Sequence, residues 1–504
     1  MPAQKPVGSL NTIEQSPPQT RLPVGEMKRL VSLVDRGPID DYFYPADSRE
    51  SVVQPSYQKY HNFSSEVLES NYTGDATWGS RISFTVPVTE HADLLQWCAL
   101  VIKPGTWIPR TITDGLRQDD KHCFLPDDIS GSWIYTDRLG SVIIEKAELE
   151  VGGITIDTIT GDWATVAGTA GLTSEKLAAW TDSITGSAAP TEPFRRQMLI
   201  SPTEDGYIYC FLPFWFARRK NTAFPLVSMR DQPVRIHITL RPFLDCVRMW
   251  DTPRASLTDS PLGKSYRYRN FVYEWPVYES WTNLGAAPLF EDAKMMFGVS
   301  YLDDSIRPSY QQPHEVLIEQ VMTMNFAEPL KYAINIASAD SILVGLPLFA
   351  LNNPIRRIFF FLRRKAIYRY NEWTNFGSRL EDEVDPVWSP QKPMLRRAKL
   401  LVGTVVLADQ PESWWRYTGS VNLPGASELY NRYIYSIAFD GDRDSFEPQG
   451  GTLNASRTDI RLDLEVEPPK SAAGINTEWE VVVFGVGFNW LRFQNGIANL
   501  LYTD

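Results

Sequence analysis

The chain is short of the residue types from which most chemical sites are built. Its four cysteines in 504 residues are Cys98, Cys123, Cys210 and Cys246, with no Cys-x-x-Cys pair and no tight cluster. That usage excludes a small disulfide-stapled scaffold and predicts free thiols in a reducing compartment. The five histidines, His61, His91, His122, His237 and His314, are scattered and lack the spacing of a zinc helix. His237 sits among Arg235, Thr239 and Arg241, and a hydrogen-bonded structural role is expected for it. No run of 18 apolar residues occurs; Ile342 to Leu351 comes nearest and is broken by Gly345 and Pro347. A membrane-spanning helix is therefore not expected. Met1 to Gly25 is rich in Pro, Gln and Thr and has no signal-peptide apolar core, so synthesis in an aqueous, reducing compartment is the expectation.

Motifs of catalysis are equally scarce. Neither Gly-x-Ser-x-Gly nor the phosphate-cradling Gly-x-x-x-x-Gly-Lys-Ser/Thr is present. Gly485-Val486-Gly487 lacks a third glycine and lies inside an apolar, strand-like run. Asp440-Gly441-Asp442-Arg443-Asp444 opens like a calcium loop, then places Ser445 where glycine is needed and Gly451 where a bidentate Glu is needed. The carboxylate pairs Asp119-Asp120 and Asp303-Asp304 fall in polar, loop-like stretches. No catalytic residue, cofactor site or metal ligand is assigned, and a non-enzyme is expected.

Basic charge is the minority sign, with 49 Lys and Arg against 61 Asp and Glu and a net charge of -12. Wrapping nucleic acid requires many phosphate contacts, so direct sequence-specific nucleic-acid binding is not expected. The basic clusters Arg218-Arg219-Lys220, Arg356-Arg357, Arg363-Arg364-Lys365 and Arg396-Arg397 are expected in salt bridges or at subunit contacts.

What the sequence has is β patterning. Apolar residues are 43% of the chain and aromatics 12%, ample for more than one core, and the 36 prolines favour turns and strand edges over long helices. A period of two runs through Arg81–Val88, Val234–Arg241 and, most clearly, Ile460–Glu467, where one face is aliphatic and the other charged. Ala147 to Asp157 is two alternating runs joined by Gly152-Gly153, a β-hairpin signature. A helix is predicted from an N-cap at Thr173 through Glu175, Leu177 and Trp180. Leu244 to Gly263 reads as a long loop, Lys103 to Gly131 as an inserted loop, and Asp303 to Pro313 as a domain junction. Strands recur at short intervals without a βαβ rhythm, which points to antiparallel sandwiches. The division expected is a flexible N-terminal arm over 1–40, a first sandwich over 41–308 and a second over 309–504.

Several segments, in order along most of the chain, carry a resemblance. They are Tyr57–Ser64; Ile144–Gly153 with Ile156-Asp157 and Gly161-Asp162-Trp163; and Leu212–Phe216 with Ala223–Val227. Further on come Tyr301-Leu302-Asp303 with Pro313–Gln320, Asn352–Arg356, Gly425–Phe439 with Pro448–Arg457, and Phe488–Phe493. Together they resemble the major capsid proteins of nucleocytoplasmic large DNA viruses. The resemblance implies an all-β double jelly roll: two consecutive eight-stranded antiparallel jelly rolls with short helices in the loops. It implies a structural subunit that forms homotrimers, which act as pseudo-hexameric capsomers tiling an icosahedral capsid. The implied partners are neighbouring capsomers, minor capsid and penton proteins and, through the arm, the membrane beneath the shell. The implied location is the virion, after assembly in the host cytoplasm. The longer arm before Met27, the absent Gly-Asn-Pro at Tyr44–Asp47 and the Lys103–Gly131 insertion depart from the family pattern.

Asn62, Asn71 and Asn454 each begin an Asn-x-Ser/Thr sequon and are the candidate glycosylation sites. The alternative reading is a carbohydrate-binding or carbohydrate-processing β-sandwich. Trp414-Trp415 is the one pair that points to sugar stacking, and packing beneath a loop is the plainer expectation for it.

Overall fold

The computed structural model of the chain describes residues 62–87, 92–105, 132–136, 138–172, 206–218, 222–229, 232–251, 267–269, 287–338, 341–365, 367, 371–378, 392–419, 423, 429, 432–439, 451–455, 457–468 and 478–502. The expected arm, the helix from Thr173, Cys123, His61, His91, His122, Asp119-Asp120 and the Asp440–Asp444 stretch lie outside them.

Among the described residues, strands pair only within their own half of the chain. In the first half one sheet runs β1 (Phe63–Asn71), β12 (Phe290–Leu302), β3 (Leu94–Pro104), β7 (Ile208–Phe211), and the two-residue β8 (Phe224–Pro225) also pairs with β3. Its companion runs β2 (Arg81–Thr85), β9 (Val234–Leu240), β5 (Ile144–Val151), β6 (Ile154–Thr160). A smaller sheet joins β11 (Arg267–Arg269), β10 (Val247–Asp251) and β4 (Ser132–Tyr135).

The second half repeats the scheme. One sheet runs β13 (His314–Phe326), β22 (Trp479–Gln494), β16 (Pro354–Arg364), β19 (Tyr435–Ala438). The short β20 (Leu453–Asn454) pairs with β16, and β23 (Ile497–Leu500) with β22. The companion sheet runs β14 (Ala333–Ser338), β15 (Ser341–Pro347), β21 (Ile460–Val466), β17 (Leu395–Val402), β18 (Val405–Pro411). Every pairing among these strands is antiparallel.

The alternating runs fold as their pattern requires. In β9 the residues Val234, Ile236, Ile238 and Leu240 are buried while Arg235, His237 and Thr239 face outward. The predicted hairpin forms between β5 and β6, closing at Val151↔Ile154. Gly152 and Gly153 both take positive φ, 58° and 91°, which a two-residue primed turn demands.

Two expectations need correction. Leu244 to Gly263 is not loop throughout: Phe243–Asp245 makes a 3-10 turn, and Val247–Asp251 is strand β10. Pro253 and Pro261, the residues whose type suggested a loop, come only after this strand in the sequence, and β4 and β11 supply the ladder partners that composition does not reveal. Lys103 and Pro104 likewise belong to β3 rather than to an insertion. Sequence reading also missed α2 (Gly161–Gly171), which follows α1 (Leu139–Val142). Thr160 caps α2, its side chain accepting from the Trp163 amide at 3.2 Å, and Asp162 sits in the first turn, where the helix dipole favours negative charge. The remaining α-helices among the described residues are α3 (Trp215–Arg218), α4 (Arg307–Gln311) and α5 (Glu412–Tyr417).

One core lies inside the second sandwich, around Val344, Phe360, Leu400, Trp415 and Leu464. The other fills the first sandwich and continues into the second through Ile318, Phe359, Phe361, Val482 and Phe484. The sheet containing β16 and β22 is therefore apolar on both faces. Ile358, Phe360 and Leu362 point into the second core, whereas Phe359 and Phe361 point to the first. A doubly covered strand cannot alternate, which is why the first eleven residues of β22 and all but the first of β16 are buried.

Candidate functional site: the seam between the sandwiches

The doubly buried sheet makes the joint between the two halves the most elaborated region among the described residues. Its centre is aromatic. Trp163, near the start of α2, packs against Phe359 at 5.8 Å and Phe484 at 5.3 Å between ring centroids, and is 2% exposed. Such ring pairs add about 0.5–1.5 kcal/mol each beyond the apolar area they bury. Nearby, Phe224 of β8 meets Phe493 of β22 at 5.8 Å.

Ion pairs flank the aromatics. Arg218 of α3 donates to Glu319 of β13, and Arg356 of β16 donates to the other oxygen of the same carboxylate at 2.6 Å. The Arg218 guanidinium carbon also lies 5.5 Å from the centre of the Trp163 ring. Arg363 donates to Glu480 within its own sheet and, at 2.9 Å, to Asp162 across the joint. Buried charges carry a desolvation cost of several kcal/mol per ion, so they persist only where each finds a partner of good geometry.

Neutral hydrogen bonds complete the contact. The Gln320 amide donates to the Ile156 carbonyl at 2.6 Å and accepts from Asn489 at 2.8 Å. Buried Asn371 donates to the carbonyls of Leu244 and Val247, each at 2.7 Å, while Trp373 donates to the Asp245 carbonyl at 2.8 Å. The connection between the halves is itself anchored. Arg307 of α4 grips Asp93 with two bonds of 2.9 and 3.0 Å, and the Asp93 carboxylate also accepts from the Leu302 amide.

Asp157, on β6, is a carboxyl at the joint with a strongly displaced equilibrium. Its Oδ1 accepts from the Thr158 amide at 2.9 Å, while Oδ2 is buried without a partner. Burial pushes this carboxyl up to about 7, against the opposing pull of Arg218 and of backbone amides at Thr158 and Val321.

These joint residues were only partly visible in the sequence. Two of the basic clusters proved interior: Arg356, Arg357, Arg363 and Arg364 are all buried. Charged pairs bracketing an apolar run, as these bracket Ile358–Leu362, are the available signal for a sheet whose ends carry buried ion pairs. Arg396 and Arg397 instead make exposed pairs with Glu467 and Asp409. Asp157 and Glu319 gave no signal of their own.

The other singled-out residues do not converge on one site. Asn62 and Asn71 stand exposed at opposite ends of β1, and Asn454 is exposed on β20 in the other sandwich. His237 takes part in a cross-strand polar ladder, between Ser83 Oγ at 2.6 Å and Glu150 Oε2 at 3.0 Å. Asp303 and Asp304 are exposed. Trp415 is fully buried and donates to the Ala398 carbonyl at 3.1 Å, so the tryptophan pair offers no two-ring platform for a sugar. Among the described residues there is no group of three or more His, Cys, Asp or Glu side chains placed to hold a metal, and no helix is long and apolar enough to cross a membrane.

Comparison with known proteins decides what this architecture is. A family described as "Major capsid protein N-terminus" matches residues 51–273. The major capsid protein of Pyramimonas orientalis virus is 21% identical over 487 residues, covering 94% of this chain and 99% of that protein. The chain is similar to the major capsid proteins of large DNA viruses over most of its length. The corresponding protein of Chrysochromulina ericina virus is 24% identical over 375 residues, which span 64% of this chain and 60% of the viral protein's length. In fold, the chain superimposes on PBCV-1 VP54 with a TM-score of 0.61 at 16% identity, covering 90% of this chain and all of the other. The Faustovirus major capsid protein gives 0.57 at 12% identity, with coverage of 94% and 97%. The two sandwiches are the two halves of a double jelly roll, the fold class expected from the sequence. The relatives and structural neighbours named here are capsid proteins.

Proposed function

We propose that three copies of this chain assemble into a pseudo-hexameric capsomer, and that many capsomers tile an icosahedral shell. The observation that carries this reading is the joint. Its ion pairs and interleaved aromatics hold the two jelly rolls as one unit, and three such units supply six similar sandwiches around a closed ring. Weak contacts between capsomers then sum over the lattice. The chain acts without catalysis: its buried polar groups join surfaces.

The finer assignments follow from the same reading. Residues 41–308 form the first jelly roll and 309–504 the second. The arm over 1–40 engages minor capsid proteins or the membrane beneath the shell, and penton proteins close the vertices. Assembly takes place in the host cytoplasm, and Asn62, Asn71 and Asn454 are the positions open to glycans.

Sedimentation velocity and electron microscopy of the purified full chain test the central claim. Three-fold particles with a hexagonal outline are expected. A species that stays monomeric at tens of micromolar would overturn it.

A further inference from the structure

The two jelly rolls correspond residue by residue, and the correspondence exposes a vacancy. In each half a two-residue strand pairs with the start of the third strand of the sheet: β8 with Leu94-Leu95, and β20 with Pro354-Ile355. In each, the ladder skips the very next residue, Gln96 in β3 and Arg356 in β16. A bulge re-aims a strand locally, so a shared bulge fixes the alignment of the two sheets. Counting on, Ala99 corresponds to Phe359. Across the ladder Met296 corresponds to Phe484, and one strand further Val67 corresponds to Val321.

Phe359 and Phe484 are the two residues on which Trp163 rests. Val321 beside them is 9% exposed, covered by the first jelly roll. Its counterpart Val67 is 48% exposed, and Phe211 on the same sheet is 47% exposed. Beside Val67 a groove of about 190 Å³ is lined by Ser65, Glu66, Val67, Gln96, Trp97 and Gly298. The first jelly roll thus carries the equivalent sheet face with its Val67 side open, while Ala99, where the filled face has Phe359, is already covered and Met296, in place of Phe484, is half-buried.

The plug has a counterpart as well. Trp163 is the third residue after β6 ends at Thr160; Trp414 is the third after β18 ends at Pro411. Both open a helix that follows the same hairpin of their jelly roll. Trp163 is buried at the joint, whereas Trp414 is only half buried and its helix neighbour Tyr417 is 56% exposed.

We propose that Trp414 of one copy seats in the Val67–Trp97–Gly298 groove of the next, repeating between chains the contact that Trp163 makes within one. The occupant is a second copy of this chain, because the equivalent face is already covered by this chain's own jelly roll. The inference rests on the trimer reading. It adds that the contact is head-to-tail, second jelly roll to first, which closes into a ring after three copies.

The test uses the full chain throughout. A Val67→Cys, Trp414→Cys double variant is oxidised and run on a denaturing gel beside each single variant. Disulfide-linked dimer and trimer bands are expected in the double variant alone. In parallel, Trp414→Ala and Val67→Glu are sedimented across a dilution series. Loss of a central aromatic anchor should raise the concentration at half-dissociation by about 30-fold or more. Circular dichroism checks that each variant is folded; Val67→Glu, on an exposed strand, keeps the test open if Trp414→Ala unfolds. A wild-type trimer that neither cross-links in the double variant nor weakens in Val67→Glu overturns this inference and leaves the trimer reading standing. A monomeric wild type overturns both.

Discussion

Arg218 in the first jelly roll and Glu319 in the second form an ion pair across the joint, with Arg356 sharing the same carboxylate. One acid thus serves two guanidinium groups, and the carboxylate is the partner that cannot be spared. Glu319→Ala should cost about 3–5 kcal/mol, the usual penalty for stranding buried charge. Arg218→Ala, which leaves Glu319 with Arg356, should cost less. Urea unfolding of the three proteins gives the ranking, and equal midpoints for the two variants would contradict it.

Trp163 should be the least replaceable aromatic of the joint. Trp163→Ala opens a cavity against Phe359 and Phe484, for an expected loss of about 3–5 kcal/mol. Because the residue couples the halves, calorimetry should show one transition in the wild type and two in the variant. A single transition merely shifted to lower temperature would mean that the ion pairs alone couple them.

Asp157 predicts a pH dependence of defined sign. Burial favours its neutral form in the folded chain, raising its carboxyl to about 7 from the ordinary 3.8. Between these values the folded state holds a proton that the unfolded state has released. Stability should therefore fall as pH rises from about 4 to about 7, by up to ~1.4 kcal/mol per unit, and level off above. Asp157→Asn should remove that component and be the more stable protein at pH 8. Parallel melting curves for the two proteins from pH 5 to 8 would refute the assignment.

Cys98, Cys210 and Cys246 are buried free thiols, and desolvation pushes all three well above the usual thiol range. The thiolate is the reactive form, so these positions should resist alkylation in the native protein and label fully after denaturation. Peptide mass mapping distinguishes the two states. Rapid native labelling at any of the three would show that its sandwich opens.

The strands with one wet face were legible in the sequence, since β9 and β21 alternate as their environment dictates. The doubly covered strands were harder, because β16 and β22 present continuous apolar runs without a face to read. The joint was less legible still. Glu319 and Asp157 acquire their roles from residues on other elements, Arg218 lying 101 positions from Glu319, and no local spacing encodes that meeting. The order of short motifs carried the family; it could not show that Arg356 and Arg363 are interior residues.

The pairing of the outermost strands sets the timing of folding. β1 begins at Phe63 and finds its partner at Leu302, the far end of the same jelly roll, while His314 waits for Phe493 near the last residues of the chain. On the ribosome the first jelly roll cannot close before β12 emerges, and the second cannot close before β22 does. Until then, apolar strands such as β16 stand uncovered on both sides, so a nascent chain made in many copies needs protection from its neighbours.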